Sequence, residues 1–283
     1  MQEHQNWGAE ALWQDLEPLL PGLSIEVLAR VESTNATLIE RVRRDEGTVA
    51  AGRAGDRLYG RRQHDLHPCL LIAEHQTHGR GRQGRAWHST PGASLTFSLS
   101  IPVEVADWSG LSLVVGAAIA EALDPEGSRL GLKWPNDLWL DERKLGGILI
   151  ETVPAGSSRM AVVGVGLNVS DRAKVAESQL NTGFACLQEL IPDVTPPQAL
   201  ALLAPALVKA LAAFPQGGFG AWRERFARRD LLQGKAITAG VLEGKGAGVS
   251  DRGELLIDTP QGRRTVSGGE VSVRLGGASA GQG

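Results

Sequence analysis

Three arginines and three glycines lie within seven consecutive residues, Gly79–Arg85. Glycine lets a backbone approach a ligand closely and adopt positive φ angles. Arginine brings a fixed positive charge and forked donors that match phosphate or carboxylate oxygens. This combination predicts a mobile loop that closes on an anionic ligand.

The same loop contains the G-x-G-x-x-G spacing of dinucleotide-binding turns and of kinase glycine loops. A dinucleotide-binding turn lies between a strand and a helix. A strand is predicted at Cys69–Ala73, but Ala86–Gly92 leads into another strand-like segment, Ser94–Ser100. No H-R-D or D-F-G triplet follows the loop. The context therefore argues against both interpretations.

Glycines also interrupt two strand-like segments, Lys144–Glu151 and Ala161–Val169. Glycine inside a strand often marks the close approach of a ligand or of another backbone. A polar turn, Asp141–Arg143, separates the first segment from the preceding run, Gly131–Leu140, and we interpret these two runs as two strands. Two glycine-bearing strands beside an arginine loop predict a flat ligand that lies across a sheet.

Three good helix N-cap residues, Ser33, Thr34 and Asn35, precede a predicted helix at Ala36–Arg44. The simplest interpretation is that they cap this helix. They would also place hydroxyl groups and helix N–H groups at the mouth of a pocket.

Histidines and a cysteine cluster between positions 64 and 78, which raises the question of a metal site. Cys69, however, begins the apolar strand, and His75 and His78 flank the arginine loop. Structural zinc sites usually show cleaner pairs of ligands. The sequence therefore predicts no metal site here.

Composition indicates an ordinary globular protein with 29 basic and 32 acidic residues and a net charge of −3. General nucleic-acid binders are more often basic, so the arginine loop is a local feature. The N-terminus has no signal peptide, and the longest apolar run, near Leu113–Ala120, is too short to span a bilayer. The only cysteines are Cys69 and Cys186, which favours a cytoplasmic location.

Helical and extended patterns divide the chain into a large α/β part and a small β part. Residues Asp45–Pro68 have no apolar period and predict an exposed, flexible insertion. We predict a catalytic domain at 1–232, a β module at 233–275 and a flexible tail at 276–283. Helices are predicted at Ala9–Leu20, Ala36–Arg44, Ser109–Leu123, Pro197–Phe214 and Phe219–Arg229, and an early strand at Ile25–Val31. The β module is predicted to contain strands Lys235–Val241, Glu254–Thr259 and Arg264–Val273, with turns at Glu243-Gly244, Asp251-Arg252-Gly253, Gln261-Gly262 and Gly268-Gly269.

Taken in order, these motifs resemble the motif set of biotin protein ligases. The resemblance runs from about Val31 to Val273 and depends on the whole set, since each motif alone is weak. It implies an α/β (α+β) catalytic domain with a mixed sheet and flanking helices, followed by a small SH3-like β-barrel. It also implies a reaction in which biotin and ATP form biotinyl-5′-adenylate, and a carrier-protein lysine then accepts the biotinyl group. The motifs are Ser33–Asn35, Glu74–Gln76 with the arginine loop, Lys133–Asp137, Lys144–Glu151 and Gly164–Asn168.

The resemblance assigns roles to individual residues. Lys144 would hold both the biotin carboxylate and phosphoryl oxygens, and Asp137 would orient the acceptor lysine. The biotin contacts would come from Ser33, Thr34, Asn35, Gln76, Arg80, Gly81, Arg82, Lys144, Gly147 and Leu149. The ATP or adenylate contacts would come from Arg82, Arg85, Trp87, Asn136, Lys144 and Asn168, and the catalytic set would be Lys144, Arg80, Arg82, Asp137 and Lys133.

The chemistry of adenylation agrees with these residue types. A carboxylate must approach an α-phosphate, so cationic side chains are needed to offset repulsion between two anions. Magnesium is expected with ATP, although the sequence identifies no ligands for it. The implied partner is the biotin carboxyl carrier protein of acetyl-CoA carboxylase or a similar protein.

Several alternatives stay open at this point. About 25 residues precede the first catalytic strand, which predicts a ligase without the helix-turn-helix repressor domain of bifunctional relatives, and therefore no specific DNA binding. A lipoate-type protein ligase shares the fold and the adenylation chemistry, but Ser33, Thr34 and Gln76 favour the hydrogen-bonding ureido ring of biotin. An RNA-binding module built on the arginines is the alternative from another class. No membrane association is expected, and a homodimer is left open.

Overall fold

The structure is a computed structural model that describes residues 4–50, 67–103, 107–155, 158–173, 183–268 and 273–275. A seven-stranded mixed sheet forms its main part, with the strand order β1-β2-β5-β9-β8-β7-β6. Only β1 and β2 pair in parallel, and the other neighbours are antiparallel. In chain order the strands up to this point are β1 (Ser24–Leu28), β2 (Cys69–Ala73), β3 (Gly79–Arg80), β4 (Ala86–Trp87), β5 (Ser94–Val103), β6 (Leu130–Lys133), β7 (Asp137–Leu140), β8 (Arg143–Ala155) and β9 (Ser158–Asn168).

Within the described residues, five α-helices accompany the sheet: α1 (Ala9–Leu16), α2 (Thr34–Ala50), α3 (Leu111–Leu123), α4 (Pro196–Gly217) and α5 (Arg223–Ala227). Helix α3 is buried along most of its length and packs between α4 and the β6–β8 part of the sheet. Helix α2 packs on β2, β5, β8 and β9, so its N-terminal residues meet the middle of the sheet. The fold thus brings the Ser33–Asn35 motif to the glycine-bearing strands.

A second sheet of five antiparallel strands follows α5, with the order β13-β12-β11-β10-β14. Its strands are β10 (Ala236–Ala239), β11 (Leu242–Val249), β12 (Leu255–Thr259), β13 (Gly262–Val266) and β14 (Val273–Leu275). This separate small antiparallel sheet agrees with the C-terminal module that the resemblance implied, and among the described residues no pairing closes it between β13 and β14.

Strand β11 corrects the prediction for this module. The sequence placed a turn at Glu243-Gly244, but both residues lie inside β11 and the connection falls at Gly240 and Val241 instead. A Cβ atom added at Gly244 would lie 2.3 Å from Asp258 O. This glycine therefore serves close packing within the sheet, and its turn-like composition was misleading.

Other element bounds also differ from the predictions. Helix α2 continues to Ala50, so the first six residues of the predicted insertion are helical, whereas 51–66 and the predicted tail, 276–283, lie outside the described residues. Strands β6 and β7 are separate elements joined through a cis Trp134–Pro135 peptide, where the sequence predicted one continuous strand. Helix α3 begins after Gly110, whose φ of 77° belongs to the left-handed region, and Ser109 does not cap it.

Among the described residues one helix, α4, has the length and apolar composition required to cross a bilayer. Half of its apolar window is buried inside the protein, where it packs against α3. Interior helices of globular folds meet the same criterion, and packing within the core accounts for the apolar character of α4.

The segment before the second sheet covers the edge of β6. Leu132 N donates to Arg229 O at 2.7 Å, and Leu231 N donates to Leu132 O at 3.0 Å. Asp230 lies between them, and its Oδ1 accepts from Leu232 N at 2.9 Å while its Oδ2 has no hydrogen-bond partner among the described residues. Burial raises the pKa of Asp230 to about 6.

Ionisation of Asp230 should therefore cost stability. The carboxyl group ionises at its ordinary pKa of 3.8 when unfolded and at about 6 when folded, so the penalty grows between these pH values and is constant above them. We expect Asp230→Asn to raise the free energy of unfolding by up to about 3 kcal/mol at pH 7.5 and by little at pH 4. Urea unfolding at the two pH values measures this difference.

Asp193→Asn is the matched control, because Asp193 is exposed and its positive φ of 58° is tolerated by asparagine. It should leave stability unchanged at both pH values. An Asp230→Asn gain of equal size at pH 4 and pH 7.5 would show that ionisation is not the cause.

Candidate active site

A cleft of about 760 Å³ opens between the main sheet and the C-terminal sheet. The arginine hairpin, the N-terminal end of α3, strand β8 and two loops of the C-terminal sheet line it. The arginine loop is a short β-hairpin made of β3, β4 and a tight turn in which Gln83 has a φ of 57°. Gly81 N donates to Arg85 O at 2.7 Å across its base. The ligand-dependent mobility predicted for this loop stays a prediction.

A buried chain of polar side chains lies beside the hairpin. Thr34 N donates to Gln76 Oε1 at 2.7 Å, and Thr34 Oγ1 lies 3.1 Å from the same oxygen. Ser98 Oγ lies 2.6 Å from Thr34 Oγ1 and 2.5 Å from Asn35 Oδ1. The hydroxyl of Ser33 accepts from Ala36 N at 3.4 Å, as its N-cap role predicted. The sequence motif Ser33–Asn35 and the distant Gln76 therefore meet at one place.

Strand β8 connects this polar chain to the hairpin. Asn35 Nδ2 donates to Leu149 O at 3.1 Å and to Glu151 Oε2 at 2.9 Å. Arg80 of the hairpin lies 3.5 Å from the same Glu151 oxygen. A Cβ atom at Gly164 of β9 would lie only 2.2 Å from Asn35 Oδ1, so glycine is required for Asn35 to reach β8. The close approach predicted at the glycines of β9 is thus made, at Gly164, by the side chain of Asn35.

Lys144 and Asp137 form an ion pair further along β8, with 2.9 Å between Lys144 Nζ and Asp137 Oδ1. Asp137 is opposite Gly147 in the strand register, and a Cβ atom at Gly147 would lie 3.3 Å from Asp137 Oδ1. Both ionic side chains are partly buried, with 31% and 18% of their surfaces exposed. The ammonium group is thereby held beside the strand that carries the glycines.

Arg82 and Asn136 tie the hairpin to the turn between β6 and β7. Arg82 donates to Asn136 Oδ1 at 3.3 Å and also to Gly268 O of the C-terminal sheet. Asn136 Nδ2 donates in turn to Ile148 O at 2.8 Å. Burial lowers the pKa of Arg82, but guanidinium groups stay charged at neutral pH. The Arg82 guanidinium group is therefore held between the hairpin, the turn between β6 and β7, and the C-terminal sheet.

Lys133 lies apart from these contacts. Its Nζ donates to Val273 O of β14 at 2.7 Å and lies 5.1 Å from the centroid of the Trp139 ring. Burial lowers the pKa of Lys133, and the positive charge of Lys144 acts in the same direction. The Lys133 side chain is therefore already engaged with the C-terminal sheet. Its predicted catalytic role stays a prediction.

The predicted nucleotide residues are distributed around the same strands. Trp87 packs on Gly166, where an added Cβ atom would lie 2.5 Å from the indole ring. Asn168 Nδ2 donates to Ala185 O at 3.1 Å. Arg85 is exposed at the end of the hairpin and donates to Gln83 Oε1 at 3.3 Å. Their contacts with a nucleotide stay predictions.

Three residues of this region had no assigned role from sequence: Ser98, Ser89 and Glu151. Ser98 joins Thr34 to Asn35, and Ser89 Oγ accepts from Gln76 N at 2.8 Å. A signal for Ser98 was present, because buried β5 alternates small hydroxyl residues with apolar ones. Such alternation in a fully buried strand indicates hydrogen bonding inside the protein. The hydroxyl residues of this face are Ser94, Thr96, Ser98 and Ser100.

Comparisons with known proteins agree with this architecture. Residues 61–168 match the Biotin/lipoate A/B protein ligase family, and residues 235–274 match the Biotin protein ligase C terminal domain. A structure titled "Biotin protein ligase from Aquifex aeolicus in complex with biotin and ATP" superposes with a TM-score of 0.69 at 28% identity, covering 89% of this chain and 99% of that chain.

Relatives identified by sequence lead to the same family. The "Bifunctional ligase/repressor BirA" of Escherichia coli (strain K12) is 34% identical over 90% of this chain and 75% of its own length. The "Biotin--[acetyl-CoA-carboxylase] ligase" of Paracoccus denitrificans is 30% identical over 87% of this chain and 98% of its own length. By these matches in sequence and in overall fold, the chain belongs to the biotin protein ligases of the biotin/lipoate A/B protein ligase family.

Proposed function

We propose that this chain activates biotin with ATP as biotinyl-5′-adenylate and transfers the biotinyl group to a lysine of a biotin carboxyl carrier protein. In the first step a biotin carboxylate oxygen attacks the α-phosphorus of ATP, and pyrophosphate leaves. In the second step the ε-amine of the carrier lysine attacks the acyl carbon, and AMP leaves.

The observation that carries this proposal is the arrangement of polar groups along β8. Gly147, Leu149 and Glu151 share one face of the strand because side chains alternate, and they span about 13 Å at 3.3 Å per residue. The buried Thr34–Gln76 chain lies at one end and the Lys144 ammonium group at the other. A ligand with a hydrogen-bonding ring, an apolar chain and a terminal carboxylate fits this sequence of environments.

Lys144 and the hairpin arginines supply the charge needed for the first step. The attacking carboxylate and the α-phosphate are both anionic, and negative charge builds on the phosphoryl oxygens during transfer. Lys144 is held 2.9 Å from Asp137 and can exchange this partner for substrate oxygens without a large movement. Preorganised cations in a partly buried site stabilise such charge more strongly than water does.

Asp137 has a separate role in the second step of the proposal. Once substrate oxygens engage Lys144, the Asp137 carboxylate becomes available to orient the incoming carrier lysine and to accept its proton. This assignment rests on the short Asp137–Lys144 contact and on the position of Asp137 beside Gly147. For the nucleotide we propose that Trp87 covers the adenine, that Arg85 reaches phosphate and that Asn168 meets the nucleotide.

Magnesium is expected to accompany ATP. Within the described residues, no group of three or more His, Cys, Asp or Glu side chains is arranged to hold a metal ion. Magnesium usually keeps several waters and binds through substrate phosphates with one or two carboxylates. We therefore propose phosphate oxygens as the main ligands of magnesium here.

The division of the chain into a catalytic domain and a β module at 232/233 also remains a proposal.

An ATP-dependent labelling assay tests the function directly. Purified protein is incubated with biotin, ATP and the carrier domain of acetyl-CoA carboxylase, and covalent biotin is detected on the carrier. Parallel reactions replace biotin with lipoate or omit ATP. Labelling that requires both ATP and biotin supports the proposal, whereas ATP-dependent labelling with lipoate and not with biotin would contradict it.

A further expectation concerns DNA. The net charge is −3, and we expect the purified protein to show no specific affinity for a biotin-operon promoter fragment. A mobility-shift assay with and without biotin and ATP measures this, with an unrelated fragment of equal length as control. Retardation of the promoter fragment alone would contradict the expectation.

A further inference from the structure

The peptide unit between Ala185 and Cys186 is hydrogen-bonded to Asn168, the residue proposed to meet the nucleotide. Its carbonyl, Ala185 O, accepts from Asn168 Nδ2 at 3.1 Å, and its N–H, Cys186 N, donates to Glu189 Oε1 at 3.0 Å. Within the described residues this peptide unit has no other hydrogen-bond partner. The peptide is trans, so its C=O and N–H point in opposite directions. Its rotation is therefore set by Glu189 on one side and by Asn168 on the other.

The rotation of this peptide unit decides which end of the Asn168 amide is offered to a ligand. A carbonyl only accepts, so Asn168 Nδ2 faces Ala185 O and Asn168 Oδ1 is directed away from it. Asn168 is only 9% exposed, and the surrounding protein leaves its side chain little room to move. If the peptide unit rotated, its N–H would face Asn168 and the amide would be reversed.

Arg143 holds the Glu189 carboxylate in place. Arg143 Nη2 lies 2.6 Å from Glu189 Oε2, and Arg143 Nη1 donates to Phe184 O at 3.1 Å. The Phe184 carbonyl belongs to the preceding peptide unit, whose N–H, Ala185 N, donates to Lys144 O of β8 at 3.0 Å. One ion pair therefore contacts two successive peptide units beside Lys144.

The other hydrogen bonds of this segment do not replace the contact with Glu189. The bond to Lys144 O belongs to the preceding peptide unit, and the bond from Gln188 N to Val169 O, at 2.9 Å, lies two peptide units further on. These bonds fix the path of the chain on either side. They leave the peptide unit that carries the Asn168 contact free to rotate.

We propose that Glu189 is a positioning residue for the nucleotide, which acts with Arg143 through the peptide unit between 185 and 186 on Asn168. This inference rests on the proposed function, in which Asn168 meets the nucleotide. The Glu189 and Arg143 side chains are 32% and 39% exposed, so their ion pair contributes little to stability. Its effect therefore falls on the affinity for ATP.

Glu189→Ala tests the inference, because it removes the acceptor for Cys186 N and the partner of Arg143 together. We expect the KM for ATP to rise by roughly three- to tenfold, with the KM for biotin and kcat within about twofold of wild type. Glu189→Gln keeps an acceptor oxygen for Cys186 N and should recover most of the affinity for ATP. Equal rises of both KM values in Glu189→Ala would indicate general damage and overturn the inference.

The matched control is Glu142→Ala. It removes an exposed carboxylate from the turn that precedes Arg143, where Glu142 pairs with Lys235. It should behave as wild type. An equal rise of the KM for ATP in Glu142→Ala would assign the effect to the charge of this surface and not to the peptide contact.

A double-mutant cycle with Asn168→Ala shows whether Glu189 acts through Asn168. Asn168→Ala alone should raise the KM for ATP, and adding Glu189→Ala to it should raise the KM by less than about twofold further, because residues that act through one contact are not additive. Additive effects, or an unchanged KM in Asn168→Ala, would overturn the inference.

Calorimetric titration with ATP separates this inference from the proposed function. It gives the same ratios between variants without turnover, so it tests Glu189 even if wild type releases no pyrophosphate, a result that would overturn the proposed function. If wild type and Glu189→Ala bind ATP equally well, only the role of Glu189 is overturned. If wild type does not bind ATP, both fail.

Discussion

We expect Lys144→Ala to lower biotin-dependent pyrophosphate release by about 10²–10³-fold. Losses of this size are typical when one preorganised group that stabilises the charge of a transition state is removed. The lysine is the cation that lies beside the glycine-bearing part of β8, 2.9 Å from Asp137. Without it, the biotin carboxylate and the α-phosphate must approach each other with their repulsion uncompensated. Single-turnover measurement of adenylate formation isolates this step from carrier binding.

The control for Lys144→Ala is Lys209→Ala, which removes an exposed lysine from α4. It should retain wild-type activity. Thermal melting of both variants should stay close to wild type, because the Lys144–Asp137 pair is partly exposed and contributes little to stability. A Lys144→Ala protein that melts normally and still releases pyrophosphate at nearly the wild-type rate would remove Lys144 from the mechanism.

Arg82→Gly is expected to change the fate of the adenylate more than its formation. The Arg82 guanidinium joins the hairpin to Asn136 and to Gly268, so its removal detaches the hairpin from two other parts of the cleft. Three glycines already make this hairpin costly to order, at about 1–2 kcal/mol of backbone entropy per residue. We expect the variant to make adenylate that escapes and biotinylates exposed lysines of unrelated proteins.

Two measurements test the Arg82 prediction. Biotin transfer to an unrelated protein should rise at least tenfold over wild type, and amide exchange across residues 79–85 should be faster in the variant when biotin and ATP are bound. Gln83→Gly is the matched control, because it adds a glycine to the same hairpin at a φ of 57° while keeping Arg82. Equal promiscuity in both variants would assign the effect to backbone flexibility and not to the guanidinium contacts.

The sequence indicated those parts of the candidate site in which the residue types themselves point to a ligand, such as arginines for an anion. The arginine loop Gly79–Arg85 and the glycines of β8 were singled out from residue type and spacing, whereas the site roles of Gly147 and Lys144 came from the resemblance and stay predictions. The polar chain was half predicted: Thr34, Asn35 and Gln76 were named, and the structure brings them together across more than 40 residues of sequence.

Long-range partners explain what the sequence missed. Ser98 and Glu151 are unremarkable in their own strands and gain their roles from Asn35, which lies 63 and 116 residues away. Strand β11 was missed because its glycines resemble a turn locally, although they permit close contacts with β12 and with Leu232 O. Lys133 was assigned to catalysis because it begins the Lys133–Asp137 motif, and nothing local revealed that its ammonium group donates to Val273 O.

The contacts between the two sheets have a consequence for the newly synthesised protein. Lys133 bonds to a carbonyl 140 residues further along the chain, Trp134 to Gly253 across 119 residues, and Arg82 to Gly268 across 186. At about 5–20 residues per second, a ribosome needs roughly 7–28 s to synthesise the partner of Lys133 after Lys133 itself. The catalytic sheet can fold during this interval, but the cleft remains incomplete. Until Gly268 has been synthesised, Arg82 lacks one of its two partners, so a ribosome-bound chain should hold the hairpin more loosely and retain adenylate less well than the finished protein.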